Sequence, residues 1–355
     1  MTKLRGALSQ IQGRYETAER SPFDDGWADE EESENPLPTT VTGERARSII
    51  ARNDSPDIPF EQSINPYRGC EHGCIYCYAR PSHAYLELSP GLDFETRLFA
   101  KTNAVELLKA ELSRRGYVAK PIAFGTNTDC YQPIERRYKV MRGLLEVLAA
   151  CDHPLSIVTK SALIERDIDL LAPMAKKNLV KAFVSITTLD HRLARTLEPR
   201  AASPLRRVDA LRALASAGIP CGVMVAPLIP ALTDKSLEDV LEAAAKAGAA
   251  MAGWILLRLP NEVKPLFKEW LGAHYPQRAG HVISIIRQSR GGRENDPNFG
   301  TRMTGSGNFV DLIGKRFELA CKRLGLNSED NHMASRHGLD CSQFRPPEDG
   351  QLRLF

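Results

Sequence analysis

From about residue 60 onward, short apolar runs alternate with longer stretches whose apolar residues recur every three or four positions. The runs at 122–124, 155–158, 182–186, 222–225 and 254–257 read as buried strands. The stretches at 135–150, 163–177, 204–217 and 236–247 read as helices; Val140, Leu144, Leu145 and Leu148 give the first of them one apolar face. Gly218 and Gly248 stand where the last two should stop. Strand–helix units repeating every 25–40 residues predict a parallel sheet with helices outside it. With the run leading into Cys70 counted as a first strand there are about six units, which predicts an α/β chain folded as a partial (β/α)6 TIM-like barrel. A doubly wound open sheet has the same periodicity, and the pattern alone leaves it open. Further helices are predicted at 260–274 and 310–324. In such folds the polar residues just past the strand ends carry the chemistry.

Composition changes this picture mainly at the two ends. The 355-residue chain has a formal net charge of +3, too small to imply a polyanionic partner by itself. Residues 1–50 hold six Lys and Arg against ten Asp and Glu, and Pro36 and Pro38 follow the acidic stretch at 24–34. Residues 1–55 therefore read as a largely disordered acidic segment, followed by the barrel over 56–280, a C-terminal extension over 281–345 and a flexible tail over 346–355. There is no apolar run of 18 residues and no apolar core of a secretory signal at the N-terminus, so a cytoplasmic protein without membrane attachment is expected.

Three of the eight cysteines, Cys70, Cys74 and Cys77, fall within eight residues. Such a cluster in a cytosolic chain points to metal rather than disulfides. Gly69 and Gly73 supply the permissive backbone that tight wrapping needs. Structural zinc wants four ligands, and only His72 lies near enough in sequence to be the fourth. A [4Fe–4S] cluster held by three cysteines keeps one iron open, and an open iron is a chemical site.

This spacing, with Tyr76 before the third cysteine, resembles the signature of the radical S-adenosylmethionine (SAM) superfamily. The resemblance implies that SAM chelates the open iron and is cleaved reductively to a 5′-deoxyadenosyl radical, which takes hydrogen from the substrate. From about residue 60 to about 260 the chain is similar to the spore photoproduct lyase-like branch of that superfamily. Tyr76 and Tyr78 flank Cys77 like a pair that relays a hydrogen atom there, which implies a cofactor-side role for Tyr76 and a catalytic one for Tyr78. The same resemblance places Lys160 on the SAM carboxylate, Ser185 at the ribose, the backbone of Ala226 at the adenine and Thr128 near the amino group. The runs Ser63–Gly69 and Leu197-Glu198-Pro199-Arg200 match a bacterial subgroup of the branch. One departure stands out: the branch keeps a hydrogen-donating cysteine where this chain has Thr126 or Asn127. Cys130, three or four residues on, is either a substitute donor or a plain small residue.

Residues 284–323 carry eight Lys and Arg against four Asp and Glu, with Phe299 among glycines, a composition suited to phosphates and a stacked base. A glycine-rich loop folded over the barrel mouth fits the same residues. The last residues, Gln351, Leu352, Arg353, Leu354 and Phe355, resemble the peptide by which bacterial repair proteins dock on the DNA sliding clamp. Together these features point to radical chemistry on a DNA base, with an electron donor such as flavodoxin or ferredoxin. RNA, protein or a metabolite as substrate, and a non-catalytic iron–sulfur or zinc recruitment module, are the alternatives.

Overall fold

The computed structural model describes residues 5–16, 38–328 and 338–347. Its strands are β1 Thr40–Glu44, β2 Ile50–Arg52, β3 Gln62–Ile64, β4 Tyr67–Arg68, β5 Arg97–Lys101, β6 Ile122–Phe124, β7 Leu155–Thr159, β8 Val180–Ser185, β9 Cys221–Leu228 and β10 Met251–Leu256. The larger sheet runs β10-β9-β8-β7-β6-β3-β2. Every neighbouring pair from β3 to β10 is parallel, and only β2 runs antiparallel at the edge. Six parallel strands in chain order have no point where the order reverses. A doubly wound sheet needs such a reversal, so the expected partial (β/α)6 barrel is the fold.

The strands are short and apolar because both faces are covered. Ile122, Phe124, Leu155, Ile157, Val180, Val184, Val223 and Val225 are all buried. The helix Val140–Ala150 turns Met141, Leu144, Leu145 and Leu148 inward. The stretch predicted as one helix over 135–150 is two, because Lys139 sits at φ 51° between Glu135–Tyr138 and Val140–Ala150. Glu135 accepts from the backbone N–H of Met141 and Arg142, so a buried carboxylate caps the second piece. The helix Pro276–Gln288 went unread in the sequence.

The expectation of disorder through residue 55 is corrected for its described parts. β1 pairs in parallel with β5, and β4 pairs with β5 on its other side, forming a small second sheet. Residues 5–16 also pack against the protein: Gly6 N and Ala7 N donate to the Glu95 carboxylate at 2.8 Å. Average composition hides such contacts, because the partners lie about 90 residues away.

The open side of the barrel, beyond β10, is bridged by residues 289–307. Leu256 N donates to Met303 O at 2.9 Å, and buried Arg290 donates to the carbonyls of Leu256, Leu257, Thr301 and Arg302. Arg302 forms a two-pronged ion pair with Asp57, in the β2–β3 connection, at 2.6 and 2.7 Å. At the opposite, N-terminal end of the strands, residues 338–347 form a strap. Phe344 lies on the rings of Tyr117 and His153, and Arg345 N donates to Cys151 O at 2.9 Å.

Candidate active site

The three cysteines occupy the loop that leaves β4. Cys70 N donates to Phe94 O at 2.9 Å, and Gly73 N and Cys77 N donate to the carbonyls of Cys70 and Cys74 at 3.2 Å. Gly69, at φ +73°, is obligatory: a Cβ there would lie 2.7–2.9 Å from Leu98, His83 and the Phe94 carbonyl. Arg80, fully buried, holds the loop from behind through the carbonyls of Gly73 and Cys74, and pairs with buried Glu95 at 2.5 Å. Gln132 clips the front, accepting from Glu71 N and donating to Gly69 O.

Past the strand ends lies a second group of polar residues. Lys160, following β7, donates its ammonium to Ser185 Oγ at 2.7 Å and Ala226 O at 3.3 Å. Ser185 Oγ and Thr187 Oγ1 donate to the same Ala226 carbonyl at 3.0 and 3.2 Å. The Lys160 ammonium lies 5.7 Å from the centroid of the Tyr76 ring. Tyr76 donates its hydroxyl to Glu198, which pairs in turn with buried Arg207. Burial alone would raise the Glu198 carboxyl, but Arg207 and Lys160 hold it down at about 2, so it stays ionised.

At the end of β6, Asn65 Oδ1 accepts from Asn127 N and Thr128 N. Thr128 Oγ1 donates to Tyr67 O at 3.2 Å, which leaves its lone pairs for an incoming donor. Asp129 accepts from Thr159 Oγ1 and Lys160 N at 2.7 Å and faces His72 Nδ1 at 3.3 Å. Burial opposes its charge, yet His72 and these donors hold it at about 2. His72, the one candidate for a fourth zinc ligand, is thus turned to a carboxylate. Tyr78 donates to Thr126 O, and the Arg258 guanidinium lies 5.6 Å over its ring.

Of the two readings of Cys130, substitute donor or plain small residue, its surroundings favour the second. Its side chain is fully buried in the main apolar cluster, and burial pushes its thiol far up. The cause is local. Asp129 aims at β7, and the turn it makes with Tyr131 N sends the next side chain into the core. Gln351, Leu352, Leu354 and Phe355 lie outside the described residues.

Residues 64–244, just over half the chain, match the family model of the radical SAM superfamily. The chain belongs to this superfamily. Relatives from Mycobacterium bovis and Mycobacterium tuberculosis, both described as uncharacterised, are 40% identical over 233 residues, covering 65% of this chain and 68% of theirs. An uncharacterised protein of Methanocaldococcus jannaschii is 31% identical over 171 residues, 48% of this chain and 61% of its own. Among solved structures, a point mutant of spore photoproduct lyase has a TM-score of 0.57 at 17% identity, covering 81% of this chain and 80% of that one. The lyase complexed with dinucleoside spore photoproduct has the same score and coverage at 18% identity. At that identity the likeness is one of fold.

A radical SAM protein implies a [4Fe–4S] cluster and SAM, and the residues present fit both. The three thiols are free of disulfides and close enough that Cys74 and Cys77 add to the rise of Cys70, after burial and Asp129, the larger causes. Among the described residues no three His, Cys, Asp or Glu converge as ligands of a single ion. A cubane takes each thiolate at a different iron, so convergence on one point is not what it requires. Lys160, Ser185, Ala226 and Tyr76, named from the sequence, do lie together, while the pairs His72–Asp129, Glu198–Arg207 and Arg80–Glu95 were not foreseen. Glu198 stood inside the run Leu197–Arg200, but nothing in the sequence pairs it with Arg207, nine residues on, or His72 with Asp129.

Proposed function

We propose that this protein is a radical SAM enzyme that holds a [4Fe–4S] cluster on Cys70, Cys74 and Cys77 and abstracts hydrogen from a nucleobase in DNA. The observation that carries the cofactor part is the convergence of Lys160, Ser185 and the Ala226 carbonyl beside Tyr76, the neighbour of Cys77. When bound, cluster and SAM together supply a primary carbon radical, at the expense of one electron from a donor such as flavodoxin or ferredoxin. Lys160 would hold the SAM carboxylate, Ser185 the ribose and the Ala226 backbone the adenine. Thr128 would accept from the amino group. Glu198 and Arg207 keep the Tyr76 ring fixed, and Tyr78 stands at the mouth, on the substrate side.

The substrate part leans on the fold neighbours, one of which carries a dinucleoside photoproduct. The extension argues for a single docked nucleotide over a long polyanion track. Arg287 pairs with Glu294, Arg302 with Asp57 and Arg316 with Glu238, while Arg290 is enclosed by carbonyls. The same observation favours a small metabolite as the second reading. Docking of residues 351–355 on the sliding clamp stays a separate proposal, tested by deleting them and measuring clamp binding. The decisive experiment is anaerobic incubation of reduced, reconstituted protein with SAM and ultraviolet-irradiated or intact DNA, followed by mass spectrometry. 5′-Deoxyadenosine formed in proportion to a changed nucleobase supports the proposal. Absence of deoxyadenosine from a fully loaded protein overturns it, and deoxyadenosine with unaltered DNA overturns the nucleobase part and leaves RNA, protein or a metabolite as substrate.

A further inference from the structure

At the mouth, three guanidinium groups lie close together with too few carboxylates among them. Arg302 is matched by Asp57 through two hydrogen bonds. Arg290, buried, donates to four carbonyls and has Asp296 as its nearby anion; burial, and then the closeness of Arg258, lower its hold on a proton. Arg258 remains. Among the described residues its Nε, like that of Arg290, is buried without a hydrogen-bond partner, and its Nη1 meets the Met303 thioether at 3.6 Å, where Arg290's two Nη atoms reach four carbonyls. A half-buried cation with an unsatisfied donor costs free energy that folding alone gives no reason to accept. Its position supplies one. Arg258 follows β10 at the C-terminal end of the sixth parallel strand, and its fork lies on the Tyr78 ring, next to Cys77. Tyr78 itself is tied to Thr126 O at the end of the second parallel strand.

We propose that Arg258 receives a phosphodiester group adjoining the reacting nucleotide. An Arg fork presents parallel N–H donors that match a phosphate, and an aromatic face beneath it keeps the fork planar to the mouth. Asp57 cannot take this role from the substrate, because both its oxygens are engaged by Arg302. The inference rests on the nucleobase reading above. It adds that one backbone phosphate, not a stretch of them, is bound by this residue.

The test is fluorescence anisotropy of a labelled single-stranded DNA hexanucleotide with cluster-loaded protein, titrated at several salt concentrations. Loss of one phosphate contact lowers the slope of log K against log salt by about 0.7. Arg258→Gln should show that drop and bind about tenfold more weakly. Arg258→Met, which keeps the aliphatic stem on Tyr78, should do the same, and Arg258→Lys should retain the slope. Thermal melting of each variant separates loss of fold from loss of contact. If the wild type binds and all three variants keep both slope and affinity, the assignment of Arg258 is wrong while the nucleobase reading stands. If the wild type binds no oligonucleotide, the nucleobase reading fails and this inference with it.

Discussion

Among the described residues the ammonium of Lys160 donates to a serine hydroxyl and a carbonyl oxygen and lies over the Tyr76 ring, and nearby Glu198 is already paired with Arg207. A cation so placed gains from an incoming carboxylate. Lys160→Ala should therefore weaken SAM binding by about 1.5–3 kcal/mol, the worth of a charge-assisted hydrogen bond, while the brown colour of the cluster persists. Calorimetric titration showing unchanged affinity would remove Lys160 from the SAM site. Cys130 supplies the opposite case. Enclosed in the core, Cys130→Ala should leave deoxyadenosine formation intact and cost about 1 kcal/mol of stability, read from chemical denaturation. Loss of turnover in that variant, with the fold preserved, would restore the thiol to the chemistry. The sequence made both residues look alike, since each follows a strand end. What separates them is the direction of a side chain, which here depends on the turn that Asp129 makes with Tyr131 N.

Elements were legible where periodicity was strong. All five apolar runs became strands β6 to β10, and the helix stops at Gly218 and Gly248 both take positive φ. The small sheet was not legible, because β4 spans two residues and β1 lies in a segment whose average composition is acidic. Its contribution is to stiffen the cysteine loop, together with the buried Arg80–Glu95 pair. Breaking a buried pair strands the partner's charge, so Glu95→Gln should cost about 3–5 kcal/mol and lower iron content after reconstitution. Normal iron content and melting temperature in that variant would show that the loop stands on its backbone contacts alone.

At the scale of the whole molecule, the ends of the described chain serve opposite poles of the barrel. The strap at the floor seals His153, whose Nδ1 faces the Pro154 carbonyl and whose Nε2 faces the Tyr117 hydroxyl. Burial depresses this imidazole to about 4. The unfolded chain then binds the proton more readily than the folded one between about pH 6.5 and 4, so stability falls as pH falls through that window, by up to about 1.4 kcal/mol per unit. His153→Gln should flatten this part of the stability profile, and an unaltered profile in urea melts would assign the acid loss to carboxylates elsewhere. At the other pole, Glu95 grips Arg80 of the cysteine loop on one side and the amides of Gly6 and Ala7 on the other. Ala7 packs in the same apolar cluster as Cys74, Ile75 and Tyr76, which closes the outward face of the loop. If the proposed cluster forms on these cysteines, its iron and sulfide would arrive through the mouth, by the path that substrate would use. Loading and turnover would compete for one doorway, and a substrate analogue bound beforehand should slow the growth of cluster absorbance.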